Sequence, residues 1–166
     1  SLRWLHQRPL RSLITPLSRI VWKRVFQGFI VFFLLKALEI FVSYLLTPDD
    51  FSLNFQPSEF LVFVPFVIVL TSIQTATEEL FFRGYLLQGI GYLSGKWAAV
   101  VWPSLLFTLL HAANPEVLTQ TSWMGIASLI WYYFMTGAFL AWLTLKDSTL
   151  ELALGVHAAN NMATFL

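Results

Sequence analysis

The sequence predicts an all-α membrane protein, a polytopic bundle of about five membrane-spanning helices. Hydrophobic residues make up 57% of the 166-residue chain and charged residues only 11%, against roughly 25% charged residues in an average soluble domain. The apolar residues occur in runs of membrane length, which argues against a very apolar soluble protein that hides its surface in an oligomer. The runs do not alternate with a period of two, and in lipid only helices or closed barrels satisfy the backbone. Helices are therefore expected.

Five apolar segments define the predicted helices, since a hydrocarbon core of about 30 Å needs about 20 helical residues. They lie at residues 26–46, 60–87, 97–113, 123–145 and 150–166. The stretches between them are polar or contain glycine and proline, and they are predicted to be loops, at 47–59, 88–96, 112–121 and 146–149. No composition shift marks a second domain, so residues 26–166 are expected to form one transmembrane helical domain.

Residues 1–25 are predicted to be a basic cytoplasmic segment. Six Lys or Arg residues and no acid precede the first apolar run, and such an excess usually marks the cytoplasmic side. We therefore expect a cytoplasmic N-terminus and location in a bacterial-type plasma membrane. The chain has a net charge of only +1 and no cysteine, so nucleic-acid binding, disulfides, thiolate zinc sites and cysteine nucleophiles are not expected. The six basic residues are Arg3, Arg8, Arg11, Arg19, Lys23 and Arg24.

Ionisable side chains within the apolar segments are candidates for function, because each costs roughly 2.5–3.5 kcal/mol to place at the bilayer centre. Glu79 and Arg83 are four residues apart and should pair on one helix face. Glu78 is rotated by about 100° from Glu79. Two interpretations stay open: a structural ion pair near the membrane interface, or a supporting Glu79–Arg83 pair beside a Glu78 that acts as a general base.

Two histidines on later helices form the other candidate groups. His111 shares a helix face with Phe107, and His157 shares one with Asn161. Each could instead be a polar packing residue between helices, and small residues such as Gly155 would let a neighbouring helix approach closely. A further pair in the first helix, Lys36 and Glu39, is predicted to neutralise itself because the two residues are three apart.

The depths of the ionisable groups in the membrane predict that they meet. At about 1.5 Å per residue, Glu78 and His157 lie about 15 Å from the predicted cytoplasmic helix ends, and His111 lies about 22 Å from its own. Three helices would thus bring these groups to compatible depths, with His111 fitting least well.

A carboxylate, two imidazoles and a carboxamide in one pocket suit hydrolysis. Glu78 and one histidine could activate a water, while the other histidine and Asn161 could donate hydrogen bonds to a tetrahedral oxyanion. Alternatively, Glu78, His111 and His157 could bind zinc and leave one position open for water. The sequence has no HExxH motif, so the familiar zinc-protease helix is absent.

Three motifs resemble one known family. EELFFR (Glu78–Arg83), FTLLH (Phe107–His111) and HAANN (His157–Asn161) match the EExxxR, FxxxH and HxxxN motifs of the CPBP intramembrane proteases, also called the type II CAAX prenyl endopeptidase or abortive-infection family. The resemblance covers residues 60–166, which would be the protease-like core. Any one motif alone is weak, and the three in this order are specific.

The resemblance implies an intramembrane endopeptidase that cleaves a membrane-embedded or lipid-anchored, CAAX-like protein or peptide. Glu78 and His111 would activate the water, and His157 and Asn161 would stabilise the oxyanion. Both glutamate-type and metal-dependent mechanisms have been described for the family. We favour the first, with no obligatory cofactor, because an asparagine beside two histidines suits an oxyanion hole. The implied supporting residues are Glu79, Arg83 and Phe107.

Two other classes of function stay open. A non-catalytic immunity or scaffold protein of the same fold would keep the helices without needing the chemistry of Glu78. A small transporter could use Glu78 and the histidines as a proton relay, but the chain shows no inverted repeat. The expected partners are a peptide or protein substrate in the membrane and the lipid bilayer itself.

Overall fold

The computed structural model describes residues 7–52 and 55–165, and every regular element in these ranges is helical, which confirms the all-α prediction. Arg3 of the basic N-terminal segment lies outside the described residues. The helices in chain order are α1 (Trp22–Leu46), α2 (Pro57–Glu79), a π-helical segment (Leu80–Leu86), α3 (Leu87–His111), the one-turn α4 (Pro115–Leu118), α5 (Trp123–Asp147) and α6 (Glu151–Phe165). Two 3₁₀ turns lie at Leu10–Leu13 and Pro48–Asp50.

Three helical runs in the described part of the chain are long and apolar enough to cross a membrane: Trp22–Leu46, Pro57–His111 and Trp123–Asp147. The middle run has 55 residues, and Gly95 interrupts it with φ 82° and ψ 174°. The predicted loop at 88–96 is therefore wrong except at Gly95. Each glycine weakens a helix by about 1 kcal/mol. The helix nevertheless continues, because an apolar environment offers the backbone of a broken helix no other hydrogen-bond partners.

The last predicted helix is present as α6, and it differs from the long runs. Its 15 residues are fewer than the about 20 that a perpendicular crossing needs. It also carries Glu151, His157 and two adjacent asparagines. Polar side chains on so short a helix need protein neighbours rather than lipid, because unsatisfied polar groups in hydrocarbon are costly.

The described helices form two compact units. The α3–α5 unit contains the N-terminal residues up to Ile20 together with Glu78–Leu150, and the α1–α6 unit contains Val21–Thr77 and Glu151–Leu166. In the α3–α5 unit, α3 packs against α5, and the π segment packs against α3 and the first 3₁₀ turn. In the α1–α6 unit, α1 packs against α6.

The π segment brings three consecutive residues into the interior of the α3–α5 unit. Phe82, Arg83 and Gly84 are all buried, although neighbours in an ordinary helix are about 100° apart. A Cβ on Gly84 would lie 3.0 Å from the Cβ of Leu13, so the glycine lets the N-terminal turn pack closely. Sequence periodicity predicts a plain α-helix here. The π turn is a finding of the structure, and such turns are frequent at functional sites.

Helices α1 and α6 approach each other closely at two glycines. A Cβ on Gly155 would overlap backbone atoms of Val25 and Phe29, and one on Gly28 would overlap the carbonyl oxygen of Leu152. The expectation that small residues permit a close helix contact here is confirmed.

The predicted self-neutralising pair of α1 is also confirmed. Nζ of Lys36 lies 2.7 Å from Oε2 of Glu39.

Candidate active site

Glu79 and Arg83 form a buried ion pair in the α3–α5 unit. Nη1 of Arg83 donates to Oε1 of Glu79 over 2.6 Å, and each side chain is at most 1% exposed. Nη2 donates to the carbonyl oxygen of Gly137 over 3.2 Å, so α5 also holds the guanidinium. The predicted pairing is confirmed. Separating such a pair would leave a charge buried without compensation. This cost holds both side chains in one arrangement.

The FxxxH motif packs directly on this ion pair. Cζ of Arg83 lies 4.7 Å from the centroid of the Phe107 ring, a distance at which a cation attracts the face of an aromatic ring. The ring of Phe82 meets Phe107 edge-on at 5.4 Å. Phe107 also contacts His111, with 4.1 Å between ring centroids. The prediction that Phe107 and His111 share a helix face is confirmed.

The imidazole of His111 has one nitrogen held by its own helix. Nδ1 lies 2.8 Å from the carbonyl oxygen of Phe107. A carbonyl oxygen can only accept, so Nδ1 carries the hydrogen, and in the neutral ring the lone pair is on Nε2. The side chain is half-buried. His111 can therefore offer Nε2 as a hydrogen-bond acceptor, a base or a metal ligand.

Glu78 begins the α3–α5 unit and is half-buried. Its charge interacts with that of Arg83, although more weakly than the charge of Glu79 does. One guanidinium thus attracts both carboxylates, and it hydrogen-bonds to Glu79. The division into a supporting Glu79 and a water-activating Glu78 stays a prediction. Glu79 is fully buried, and Glu78 is the more accessible acid of the two.

A polar network that the motifs do not contain lies beside His111. The ring of Tyr133 on α5 lies 4.7 Å from the imidazole. Its hydroxyl donates to the Glu116 carboxylate and accepts from Nδ2 of Asn114 over 3.2 Å. This hydrogen bond from Tyr133 lowers the pKa of Glu116. The only sequence signal for this network is Asn-Pro-Glu (114–116) at the start of α4, which is typical of a helix start, and no sequence pattern indicates Tyr133.

In the α1–α6 unit, His157 and Asn161 lie on one face of α6, as predicted. Nδ2 of Asn161 donates to Nε2 of His157 over 3.3 Å. His157 is 2% exposed and Asn161 is half-buried. An amide NH₂ has two hydrogens, so Asn161 keeps a second one for another acceptor. Nδ2 of the adjacent Asn160 lies 3.4 Å from Oδ1 of Asn161, which holds the amide in this orientation.

The start of α6 is fixed to α1 by a buried carboxylate. Oε1 of Glu151 accepts from the backbone N–H of Val21 over 2.7 Å, and Oε2 lies 3.3 Å from Nε of Arg24. Glu151 is 0% exposed. Together with the close contact at Gly155, this anchor fixes the rotation of α6 against α1 and so the direction of its histidine face.

The predicted site residues are divided between the two units. Glu78, Glu79, Arg83, Phe107 and His111 belong to the α3–α5 unit, and His157 and Asn161 belong to the α1–α6 unit. Neither unit by itself, over its described residues, brings three His, Asp or Glu side chains together as a metal-binding group. The convergence of all four predicted catalytic residues, and the zinc set Glu78, His111 and His157, stay predictions.

In the comparison with known proteins, one family profile covers all three motifs. A profile of the family described as type II CAAX prenyl endopeptidase Rce1-like matches residues 57–163, a range that contains all of them. "Uncharacterized protein YyaK" of Bacillus subtilis (strain 168) is 38% identical in an alignment of 168 positions that covers 98% of this chain and 53% of that protein. The chain thus spans about half the length of this relative. No solved structure matches the chain significantly. With its long apolar helices, the chain is an integral membrane protein that belongs to the Rce1-like type II CAAX prenyl endopeptidase family.

Proposed function

We propose that this chain is an intramembrane endopeptidase that hydrolyses a peptide bond in a membrane-embedded or lipid-anchored, CAAX-like protein or peptide. One observation carries the proposal: the buried Glu79–Arg83 pair supports Phe107, and the ring of Phe107 contacts His111. Residues from two separate motifs thus form one packed cluster. Family membership supports the same class of activity.

In the proposed mechanism, Glu78 and His111 activate the attacking water. Glu78 takes a proton from the water as a general base. Nε2 of His111 accepts a hydrogen bond from the same water, since Nδ1 is engaged with the Phe107 carbonyl. The water oxygen then adds to the substrate carbonyl carbon, and the proton passes to the departing amine as the C–N bond breaks.

His157 and Asn161 stabilise the negative oxygen of the tetrahedral intermediate. The support for this role is their 3.3 Å contact on one face of α6, which orients a carboxamide that has a second hydrogen to donate. Removal of one such donor typically costs about 10²- to 10³-fold in turnover. We therefore expect Asn161→Ala to lower the turnover number more than the affinity for substrate.

A divalent metal is the alternative means of activating the water. Catalytic zinc commonly takes three His or acidic ligands and leaves a fourth position for water, and Glu78, His111 and His157 are the residues of that kind. The lone pair on Nε2 of His111 fits such a ligand. Cleavage that is lost with a chelator and restored by zinc would favour this alternative over the glutamate-type mechanism.

Purified protein in liposomes and a library of prenylated and unprenylated CAAX peptides test the proposal. We expect cleavage by the wild type and a loss of about 10²- to 10⁴-fold in Glu78→Gln, as for removal of a general base. Glu59→Gln is the matched control, because Glu59 lies exposed in the first turn of α2. Equal activity of folded Glu78→Gln and wild-type protein would overturn the proposal and favour a non-catalytic immunity or scaffold role.

The proposed orientation places the N-terminus in the cytoplasm of a bacterial-type plasma membrane. The basic residues before α1 support it. Because the chain has no cysteine, the exposed Ser18 and Ser52 can each be changed to cysteine as a unique label site. In intact cells an impermeant maleimide should label the Ser52→Cys variant, and should reach Ser18→Cys only after permeabilisation. The reverse pattern would contradict the orientation.

A further inference from the structure

A polar pocket lies in the α3–α5 unit, outside the predicted catalytic residues. Its volume is about 300 Å³, and its walls come from the N-terminal segment, the π segment and the end of α5. The polar side chains that matter to its chemistry are those of Arg8, Ser12, Arg83, Gln88, Ser148 and Thr149.

The N-terminal wall of the pocket is held in place by contacts with the rest of the unit. The backbone N–H of Leu150 donates to the carbonyl oxygen of Ile14 over 2.7 Å. Leu13 is buried and packs against Gly84 of the π segment. Nε2 of Gln88 lies 3.5 Å from the carbonyl oxygen of Ser12. The pocket is therefore a folded feature of the unit, formed by three chain segments that are far apart in sequence.

The charge of the pocket favours an anion. Two guanidinium groups line it, and none of its lining residues in the described chain is acidic. The charge of Arg83 is offset by Glu79, so Arg8 supplies the net positive charge. Nη1 of Arg8 lies 3.5 Å from Oε1 of Gln88, a long contact that leaves the guanidinium able to turn to a ligand. The nearby Asp147 accepts a hydrogen bond from the hydroxyl of Thr149.

A buried hydroxyl in the wall gives a second, independent indication of a ligand. Oγ of Ser12 is shielded from solvent and has no hydrogen-bond partner among the described residues. Buried polar atoms are rarely left without a partner, because doing so costs about 1–3 kcal/mol. Ser12 lines the pocket, so rotation of its side chain about χ1 would let the hydroxyl donate its hydrogen to the oxygen acceptors of a ligand there.

We propose that this pocket binds a phosphate group, supplied by the headgroup of an anionic phospholipid. Arginine and hydroxyl groups are the usual donors to phosphate oxygens, and basic pockets at the cytoplasmic side of membrane helices bind anionic headgroups. The pocket lies beside the C-terminal end of α5, a helix long and apolar enough to cross a membrane, and in the basic N-terminal segment. Basic residues at the end of a membrane span are typical of the headgroup region. The ligand would hold the N-terminal segment against the π segment that carries Arg83.

Binding to the purified full chain in neutral detergent tests the proposal without any need for peptide cleavage. Native mass spectrometry would compare phosphatidylglycerol with phosphatidylcholine, and an added arm would titrate inorganic phosphate. We expect phosphatidylglycerol to be retained preferentially. Arg8→Gln should weaken its binding about tenfold, as for loss of a charged hydrogen bond. Arg19→Gln is the matched control, since Arg19 is an exposed arginine of the same segment outside the pocket, and its effect should stay below about twofold.

The titration with inorganic phosphate distinguishes a site for phosphate alone from a site for the whole lipid headgroup. Displacement of the lipid by inorganic phosphate would support a site that recognises phosphate alone, and its absence would support recognition of the whole headgroup. Ser12→Ala removes the buried hydroxyl and should weaken binding about fivefold, with the melting temperature reporting that the variant is folded. Equal binding of both lipids without phosphate binding, or equal losses in Arg8→Gln and Arg19→Gln, would overturn the proposal.

Discussion

The guanidinium of Arg83 joins Glu79 through a 2.6 Å hydrogen bond and at the same time stacks on the ring of Phe107. Phe107 in turn contacts the imidazole of His111. A supporting ion pair thus reaches the candidate water-activating histidine through one aromatic ring. The ion pair and the histidine are therefore parts of one packed cluster.

Glu79→Gln should lower the free energy of unfolding by about 3–5 kcal/mol, because the buried Arg83 loses the carboxylate that it hydrogen-bonds and keeps only its weaker interaction with Glu78. Reversible unfolding in sodium dodecyl sulfate measures this change. Glu59→Gln is again the control, since substitution of an exposed side chain usually changes stability by no more than about 0.5 kcal/mol. Similar losses in both variants would contradict a special role for the buried pair.

Gly155→Ala should destabilise the α1–α6 unit by about 1–3 kcal/mol, the usual cost of overpacking. The added methyl group would overlap backbone atoms of Val25 and Phe29, which cannot move as a side chain can. Gly89→Ala is the matched control, because nothing lies within 4 Å of a Cβ on this helical glycine. It should leave stability unchanged or raise it by up to about 1 kcal/mol. A melting temperature in detergent that falls equally in both variants would refute the close contact.

Gly95→Ala should cost about 1–3 kcal/mol for a different reason, since φ 82° with ψ 174° is a conformation that essentially only glycine adopts. The space around Gly95 is open, so the cost comes from the backbone alone. Gly95→Asn should be no better, because asparagine tolerates the left-handed helical region but not this ψ. A rise in melting temperature for Gly95→Ala would show instead that α3 becomes continuous through this residue.

The parts of the site that the sequence predicts correctly are local. Glu79 with Arg83, Phe107 with His111 and His157 with Asn161 are each four residues apart, and helical geometry brings such residues together wherever the helix lies. The apolar runs likewise predict where helices occur, because membrane length and composition are properties of the chain itself.

The features that sequence reasoning misses depend on packing between distant segments. Tyr133 reaches Glu116 and Asn114 from a different helix, and no periodicity relates residues 17 and 19 positions apart. The π segment forms where Leu13 packs on Gly84, a contact between residues that no local pattern connects. The glycines at 88–96 favour a loop by local propensity, but the helix continues there because lipid offers the backbone no other hydrogen-bond partners.

Tyr133→Phe tests the network beside His111 through the pH dependence of stability. The Tyr133 hydroxyl holds the pKa of Glu116 below its usual value, so ionised Glu116 gains a stabilisation from this hydrogen bond that the protonated acid does not have. The stabilisation is fully present above the unfolded carboxyl pKa of about 4.3 and is lost as the pH falls through the lowered folded value. The melting temperatures of wild type and Tyr133→Phe should therefore differ near neutral pH and converge in acid. Tyr92→Phe, at a tyrosine that is 90% exposed, should match the wild type throughout, and a Tyr133→Phe difference that stays constant with pH would contradict the charged hydrogen bond.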